Sequence, residues 1–381
     1  MNLKRVKYLQ SVLNNPILIK KKENLLYLLE RSFLHGYLLV KPRKHAESKA
    51  EKRGRKSVVF LGDGLERIEG LHSDFLKNVG KYIRRSETLE VFGEFTYAEV
   101  KYIKFKNPKL RLKVTIKHDP VDHQRVIKEP AEIANVRRSM QIVEKVFRMV
   151  KTELKNTDRG RINTEIGLAK FIESAGLRMG ASELAFPAIV ASGANAAVPH
   201  HVPSSKRLKA GESIILDFGF KYKNYCSDFT RTVFLKKAPK RLAEAYNQVE
   251  KAYNESIFFV SLRGVHPTKQ SNAGNRLLRS ARNGITGNQV YQKSVDILKE
   301  KHLDKYFIHS LGHGTGLEIH ELPNLSPASK DILQDGMIFS IEPGVYIPKV
   351  GGIRIEDLVY LEGGKVKKFI NVSTKLTENI I

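Results

Sequence analysis

The chain has 381 residues, 28% of them charged and 41% hydrophobic, which excludes wholesale disorder and is long enough for two domains at roughly 100 to 200 residues each. No apolar stretch approaches the ~20 residues of a membrane-spanning helix, and the start MNLKRVKYLQSVLNN lacks a secretory pattern, so a cytoplasmic protein without a membrane partner is expected. One cysteine, Cys226, excludes an intramolecular disulfide framework, Cys-x-x-Cys zinc sites and clusters held by several thiolates, so a bound metal must rest on histidines and carboxylates. The net charge of +26 attracts nucleic acid and other polyanions but identifies no function.

Charge is densest toward the N-terminus, where residues 1–125 carry +14 and the rest +12. Helical spacing of leucines and aromatics runs over 3–14 and 23–34, while ILIK, YLLV, SVVFLG, LEVFGEF and YIKFK are β-prone, a mixture that reads as a small α/β domain. Between two of these strands, residues 41–56 hold eight basic and two acidic side chains, read as a solvated loop. The sharper alternative is weak, non-specific RNA binding through this stretch, without base stacking because His45 is its single ring. The polar segment KHDPVDHQRVIKEP marks a boundary, placing one domain at 1–122 and another at 123–381. A helix then follows from the recurrence of Ile133, Val136, Met140, Val143, Phe147 and Val150, with Pro130 and Glu132 suited to its first turn. Further amphipathic helices are expected at 164–177, 239–260 and 287–300, with β-type segments ESIILDFGF, YCSDFTRTVFL, MIFSIEPGVYI and GIRIEDLVYL between and after them.

Asp217 and Asp228 each lie inside an apolar β-prone run, where a carboxylate is normally excluded, and the turn-tolerant Lys223 and Asn224 between them predict a hairpin. A turn centred at Tyr222 and Lys223 makes the aspartates cross-strand partners, and one residue later makes them diagonal neighbours. Two carboxylates ~4 Å apart repel by roughly 4 kcal/mol at an effective dielectric of 20, so one is protonated or a cation lies between. Alternatively, one aspartate caps a surface turn.

Five of the twelve histidines fall in two places, His200 and His201 in VPHHVPSS, and His309, His313 and His320 in HSLGHGTGLEIHE. Gly312, Gly314 and Gly316 remove bulk around His313 and permit positive backbone dihedrals. GHGTG is not followed by the Lys-Ser or Lys-Thr of a phosphate loop, HELPN lacks the second histidine of a zinc helix, and no Gly-x-Ser-x-Gly elbow exists. Glu342 in FSIEPGVYIP and Glu356 in GGIRIEDLVYL are again acids in apolar β-prone runs. Strand alternation puts Arg354 and Glu356 on one face, which admits a plain salt bridge. Two Asp, one His and two Glu carry too much negative charge for one divalent ion and suit two ions sharing carboxylates.

The ordered set LDFGFKYKNYCSDFTRT, HSLGHGTGLEIHE, SIEPGVYIP and GGIRIED closely resembles the pita-bread metallopeptidases, and among them the Xaa-Pro peptidases, prolidase and aminopeptidase P. The resemblance covers about residues 125–381; ILIKKKENLLYLL faintly resembles the creatinase-like N-terminal domain of the same enzymes. It implies an α+β protein with a C-terminal pita-bread catalytic domain, and a dinuclear-metal peptidase that cleaves Xaa-Pro bonds at peptide N-termini or in dipeptides. Asp217 would chelate one ion, His313 and Glu342 the other, and Asp228 and Glu356 would bridge both. Mn(II) is the expected ion, with Co(II) or Zn(II) as substitutes, and a homodimer the expected assembly. Glu342 is the implied proton shuttle; His200 and His320 would act beside the substrate amide and scissile carbonyl, and Arg354 near the bridging glutamate. His201 and His309 are read as local hydrogen-bonding or core histidines, and Cys226 is not expected to be a ligand. Residues 265–284 stand as an insertion relative to the family and are read as a surface loop, with contact to a partner subunit or nucleic acid as the alternative. Two rivals share the motifs: a methionine aminopeptidase, and a pita-bread module that has lost catalysis and binds RNA or protein.

Overall fold

The computed structural model describes residues 2–30, 36–40, 58–62, 76, 79, 83, 87–92, 94–115, 119–155, 162–262 and 284–381. The basic stretch at 41–56 lies outside the described residues, as does all but Gly284 of the insertion at 265–284. The chain divides into two compact units, Met1–Arg125 and Val126–Ile381.

In the N-terminal unit, α1 (Leu3–Val12), β1 (Ile17–Ile19), α2 (Lys22–Leu29), β2 (Gly36–Val40), β3 (Val58–Gly62), β4 (Thr88–Phe92), α3 (Tyr97–Lys106), β5 (Arg111–Thr115) and α4 (Pro120–Arg125) follow in order. The strands form one sheet in the order β3-β2-β1-β4-β5, antiparallel at β1–β2 and β2–β3 and parallel at β1–β4 and β4–β5. Leu18, Leu39, Leu89, Val91 and Ile103 form its core. The β-prone run YIKFK lies inside α3. A capping box decides this: the Thr96 hydroxyl accepts from the Glu99 N–H while the Glu99 carboxylate accepts from the Thr96 N–H, satisfying donors that a helix start would otherwise expose. The strand belongs to the next segment, β5, an edge strand whose alternating residues Arg111 and Lys113 face solvent.

The C-terminal unit begins with two helices, α5 (Pro130–Lys155) and α6 (Glu165–Arg178). The apolar stripe of α5 is buried as its spacing requires, through Val136, Met140, Val143, Phe147 and Val150. Phe147 packs edge-on to Phe229 at 5.2 Å between centroids. Then come β6 (Glu183–Leu184), β7 (Ile189–Ser192), β8 (Ser213–Asp217), β9 (Phe220–Tyr222), β10 (Tyr225–Cys226), β11 (Phe229–Phe234), α7 (Lys240–Leu262) and α8 (Gly287–Lys299). The last elements are β12 (Gly312–Gly314), β13 (Glu321–Leu325), β14 (Ile338–Ile341), β15 (Gly344–Ile347), β16 (Gly351–Arg354), β17 (Glu356–Glu362) and β18 (Lys365–Lys368). Eight strands make the main sheet, ordered β13-β12-β14-β17-β11-β8-β7 with β18 beside β17. The helices α7 and α8 contribute Tyr246, Val249, Tyr253, Val290 and Ile297 to the core shared with Phe339, Val345, Ile353 and Val359.

The glycines of GHGTG serve close approach rather than unusual dihedrals, for none of Gly312, Gly314 and Gly316 has a positive φ. A Cβ on Gly312 would sit 2.0 Å from the Ser340 carbonyl oxygen and one on Gly314 would sit 2.0 Å from that of Leu322. β12 is therefore pressed between β13 and β14 at a spacing no side chain on those positions allows.

Candidate active site

Asp217, Asp228, Glu356, Glu342 and His313 come from five strands that neighbour one another in the main sheet. Asp217 ends β8, Asp228 immediately precedes β11, Glu356 opens β17, Glu342 immediately follows β14, and His313 is the middle of β12. The turn between the aspartates is the two-residue Lys223-Asn224, with φ of 48° and 69°, the paired positive values of a type I′ hairpin. Tyr222 opposes Tyr225, and Asp217 opposes Thr230, so Asp217 and Asp228 are diagonal neighbours rather than direct partners. Thr230 also opposes Glu356 across the next strand pair. One row therefore reads Asp217, Thr230, Glu356, with Asp228 two residues from Thr230 along the chain.

The potential for metal ligation is concentrated on Asp228, His313 and Glu356, whose ligating atoms all lie within 4.8 Å of one another. His313 Nε2 is 3.5 Å from Asp228 Oδ2 and 3.4 Å from Glu342 Oε1. Its Nδ1 donates to the Gly314 carbonyl at 3.0 Å, which leaves the Nε2 lone pair facing the carboxylates, the tautomer a metal ligand needs. Ser340 ties two of the groups together: its hydroxyl accepts from the His313 N–H at 3.0 Å and donates to Glu342 Oε1 at 3.0 Å. Thr230 donates to Glu356 Oε2 at 2.6 Å and accepts from Arg354 Nε at 3.2 Å.

Arg354 and Glu356 line the same cleft but belong to different strands, since β16 ends at Arg354 and β17 begins at Glu356. The arginine instead pairs with Asp217, Nη2 to Oδ2 at 2.5 Å, and reaches Glu356 through the Thr230 hydroxyl. Its Nη1 donates to the Tyr346 hydroxyl at 2.6 Å and to the Pro199 carbonyl at 3.3 Å. The plain salt bridge between Arg354 and Glu356 is thus replaced by a guanidinium that braces the walls of the site.

Among the described residues Arg354 is the arginine paired with one of these four carboxylates, while the nearby buried Arg231 is taken up by Asp357, which leaves too little positive charge. Burial, followed by the neighbouring Asp217 and Glu342, holds the Asp228 carboxyl well above the usual range. Burial, followed by Asp228, does the same to Glu356, and burial pushes Glu342 up to about 8 despite Arg354. Burial and the nearby His320 push His313 down to about 4. Two carboxylate oxygens, Asp217 Oδ1 and Glu356 Oε1, are buried without a hydrogen-bond partner. Orphaned acceptors of this kind are costly unless a cation meets them. The donor set of carboxylate oxygens plus one imidazole fits divalent ions, and hard oxygen donors suit Mn(II).

These residues floor an open cleft of about 570 Å³. His200 and His320 line it, and the His320 ring stands edge-on to His313 at 4.2 Å between centroids. Its lining also includes the apolar side chains of Phe186, Pro187, Ile189, Pro199, Val202 and Ile319. His201 also lines the cleft but its Nε2 is held by Glu165 at 2.9 Å. His309 bonds through Nδ1 to the Ser310 carbonyl at 2.7 Å and through Nε2 to the Tyr346 hydroxyl at 2.9 Å. Cys226 is buried apart from the cluster, its Sγ 3.7 Å from the Leu317 carbonyl, and burial pushes the thiol up to about 12. Thr230, Ser340, Tyr346 and Glu165 are not legible as site residues in sequence. The single available signal is that Thr230 shares the strand face of Asp228.

Residues 134–362 match metallopeptidase family M24, and the chain belongs to that family. It is 32% identical over 294 residues to a Xaa-Pro dipeptidase of Pyrococcus furiosus, covering 77% of this chain and 76% of that one. It is 37% identical over 243 residues to a putative Xaa-Pro aminopeptidase of Mycoplasma genitalium, covering 63% and 61%. The crystal structure of the prolidase from Pyrococcus horikoshii superposes with a TM-score of 0.79 at 26% identity, covering 98% of this chain and 99% of that one. The fold is the pita-bread fold with an N-terminal domain, and the protein is a metallopeptidase.

Proposed function

We propose that this metallopeptidase hydrolyses the Xaa-Pro bond at the N-terminus of peptides or in dipeptides, with two divalent ions held by Asp217, Asp228, His313, Glu342 and Glu356. The observation that carries the reading is the convergence of these side chains from five adjacent strands, with Asp217 Oδ1 and Glu356 Oε1 buried and unpartnered. Asp217 would serve one ion, His313 and Glu342 the other, and Asp228 and Glu356 both. Mn(II) is the first candidate, with Co(II) and Zn(II) as substitutes. Bound ions acidify a water toward neutral pH and polarise the scissile carbonyl.

The protein groups have separate tasks. Glu342, hydrogen-bonded to Ser340, takes a proton from the attacking water and passes it to the leaving nitrogen. His200 and His320 donate to the carbonyl oxygen as it gains charge. Arg354 aims Asp217 and favours its ionised form, at 2.5 Å. The nitrogen of an Xaa-Pro bond carries no N–H, so selection rests on shape, and apolar lining residues such as Phe186, Pro187, Ile189 and Val202 suit a pyrrolidine ring. A homodimer belongs to this reading on the resemblance of the motifs, and a cytoplasmic location is part of the same proposal. Weak RNA binding by residues 41–56 is a separate part of it, expected to fall steeply with salt.

The test is a panel of matched peptides given to metal-loaded protein. Xaa-Pro dipeptides and Xaa-Pro-Xaa tripeptides are expected to be cleaved, and replacing the proline with alanine to lower kcat/KM strongly. Faster release of methionine from Met-Ala-Ser than of any residue from the proline substrates would instead identify a methionine aminopeptidase.

A further inference from the structure

Glu165 opens α6 with its side chain fully buried, yet it touches none of the five candidate ligands. Its carboxylate is ringed by donors. Oε1 accepts from the Ser192 N–H at 2.7 Å, the Ser192 hydroxyl at 2.8 Å and Asn195 Nδ2 at 3.0 Å. Oε2 accepts from the Ser204 hydroxyl at 2.6 Å, the Ser204 N–H at 3.1 Å and Asn195 Nδ2 at 3.1 Å, and meets His201 Nε2 at 2.9 Å. Those partners fall at the two ends and the middle of a single segment, 192–204. Between them the segment lends Pro199, His200 and Val202 to the cleft.

The segment has little regular structure of its own beyond a short 3-10 turn at Gly193–Ala197. A loop of this kind is placed by whatever satisfies its backbone and polar groups. Here one carboxylate does so at four residues. Burial alone would raise its pKa, but the hydrogen bonds from Ser204, Ser192 and His201 prevail and hold it down at about 2, so the group acts as a fixed anion. The N-terminus of α6 favours that charge as well.

We infer that Glu165 is a positioning residue that sets the place of His200 in the cleft, and so governs substrate engagement without contacting substrate or metal. The inference rests on the proposed role of His200, and two readouts keep the failure of one separate from the failure of the other. Glu165→Gln is isosteric but turns an N–H₂ toward groups that donate to the carboxylate, which the segment must move to avoid.

With full-length, Mn(II)-loaded protein, Glu165→Gln is expected to retain its metal content while kcat/KM on an Xaa-Pro peptide falls roughly ten- to a hundredfold, as for a misplaced catalytic group. In a His200→Ala background the same change is expected to have little further effect, because residues that act as a unit are not additive. Equal losses in both backgrounds would show a general structural role and overturn the inference. In ¹⁵N-histidine-labelled protein loaded with diamagnetic Zn(II) in place of Mn(II), the His200 signal, assigned by its disappearance in His200→Ala, is expected to move or broaden in Glu165→Gln while the His313 signal holds. An unchanged His200 signal overturns the inference whatever the activity, whereas a shifted signal in a protein inactive on Xaa-Pro peptides sustains the positioning and rejects the proposed function. Ser204→Ala, which removes one donor, is expected to move the same signal to a smaller degree and serves if Glu165→Gln does not fold.

Discussion

Thr230 holds the position that both Asp217 and Glu356 face across the sheet, and its hydroxyl joins Glu356 to the arginine that grips Asp217. Thr230→Val keeps the shape and removes the link, leaving a buried carboxylate oxygen unpartnered. A hydrogen-bond partner that orients a ligating carboxylate is typically worth about 10- to 100-fold in metal affinity, so Mn(II) affinity measured by calorimetry is expected to fall by roughly that much. Glu342→Gln is expected to stay folded and lower kcat by about 10²- to 10⁴-fold, the usual weight of a proton-transfer group; a drop under about tenfold with metal retained would remove Glu342 from that role. Glu165 gives a stability prediction with a definite sign. Its carboxyl is lowered from 4.5 to about 2 on folding, so its stabilisation is present above its unfolded value and is lost as pH falls through the folded one. The melting-temperature gap between wild type and Glu165→Gln is therefore expected to be widest near neutral pH and to narrow below about pH 4.5.

Among the elements, the hairpin shows what sequence reveals and what it leaves open. Acids in apolar runs flanking Lys223-Asn224 announce two strands, but whether Asp217 and Asp228 are direct or diagonal neighbours depends on a turn position that composition does not fix. The structure resolves it through the positive φ of Lys223 and Asn224. YIKFK departs from the expected strand for a related reason: its β-prone side chains are outweighed by the Thr96–Glu99 capping pair, a local signal that is present in the sequence. In the hairpin, a Cβ on Gly219 would lie 1.9 Å from the Ser227 carbonyl oxygen. Gly219→Ala must therefore push the strands apart beside Asp228, with a cost of about 1–3 kcal/mol for overpacking. Both melting temperature and Mn(II) binding are expected to fall; loss of stability with unaltered metal affinity would show that the hairpin does not shape the site.

Across the whole molecule, the long helices and the five candidate ligands are readable because periodicity and misplaced acids are local patterns. The groups that aim those ligands are not. Thr230 meets Glu356 across 126 positions of sequence, and Glu165 meets Ser192, Asn195, His201 and Ser204 across 27 to 39; neither residue type is unusual where it stands. The concentration of negative charge at the site makes the folded state the one that binds cations, so Mn(II) at 100 times its dissociation constant is expected to add about 2.7 kcal/mol of stability for each ion bound, read as a rise in melting temperature that chelation reverses.

The most direct test is to titrate Mn(II) into metal-free protein while following hydrolysis of an Xaa-Pro peptide. Activity is predicted to rise from baseline and level off at about two equivalents per chain, as two ions sharing carboxylates require. No hydrolysis at any loading, or full activity at a single equivalent, would contradict the account.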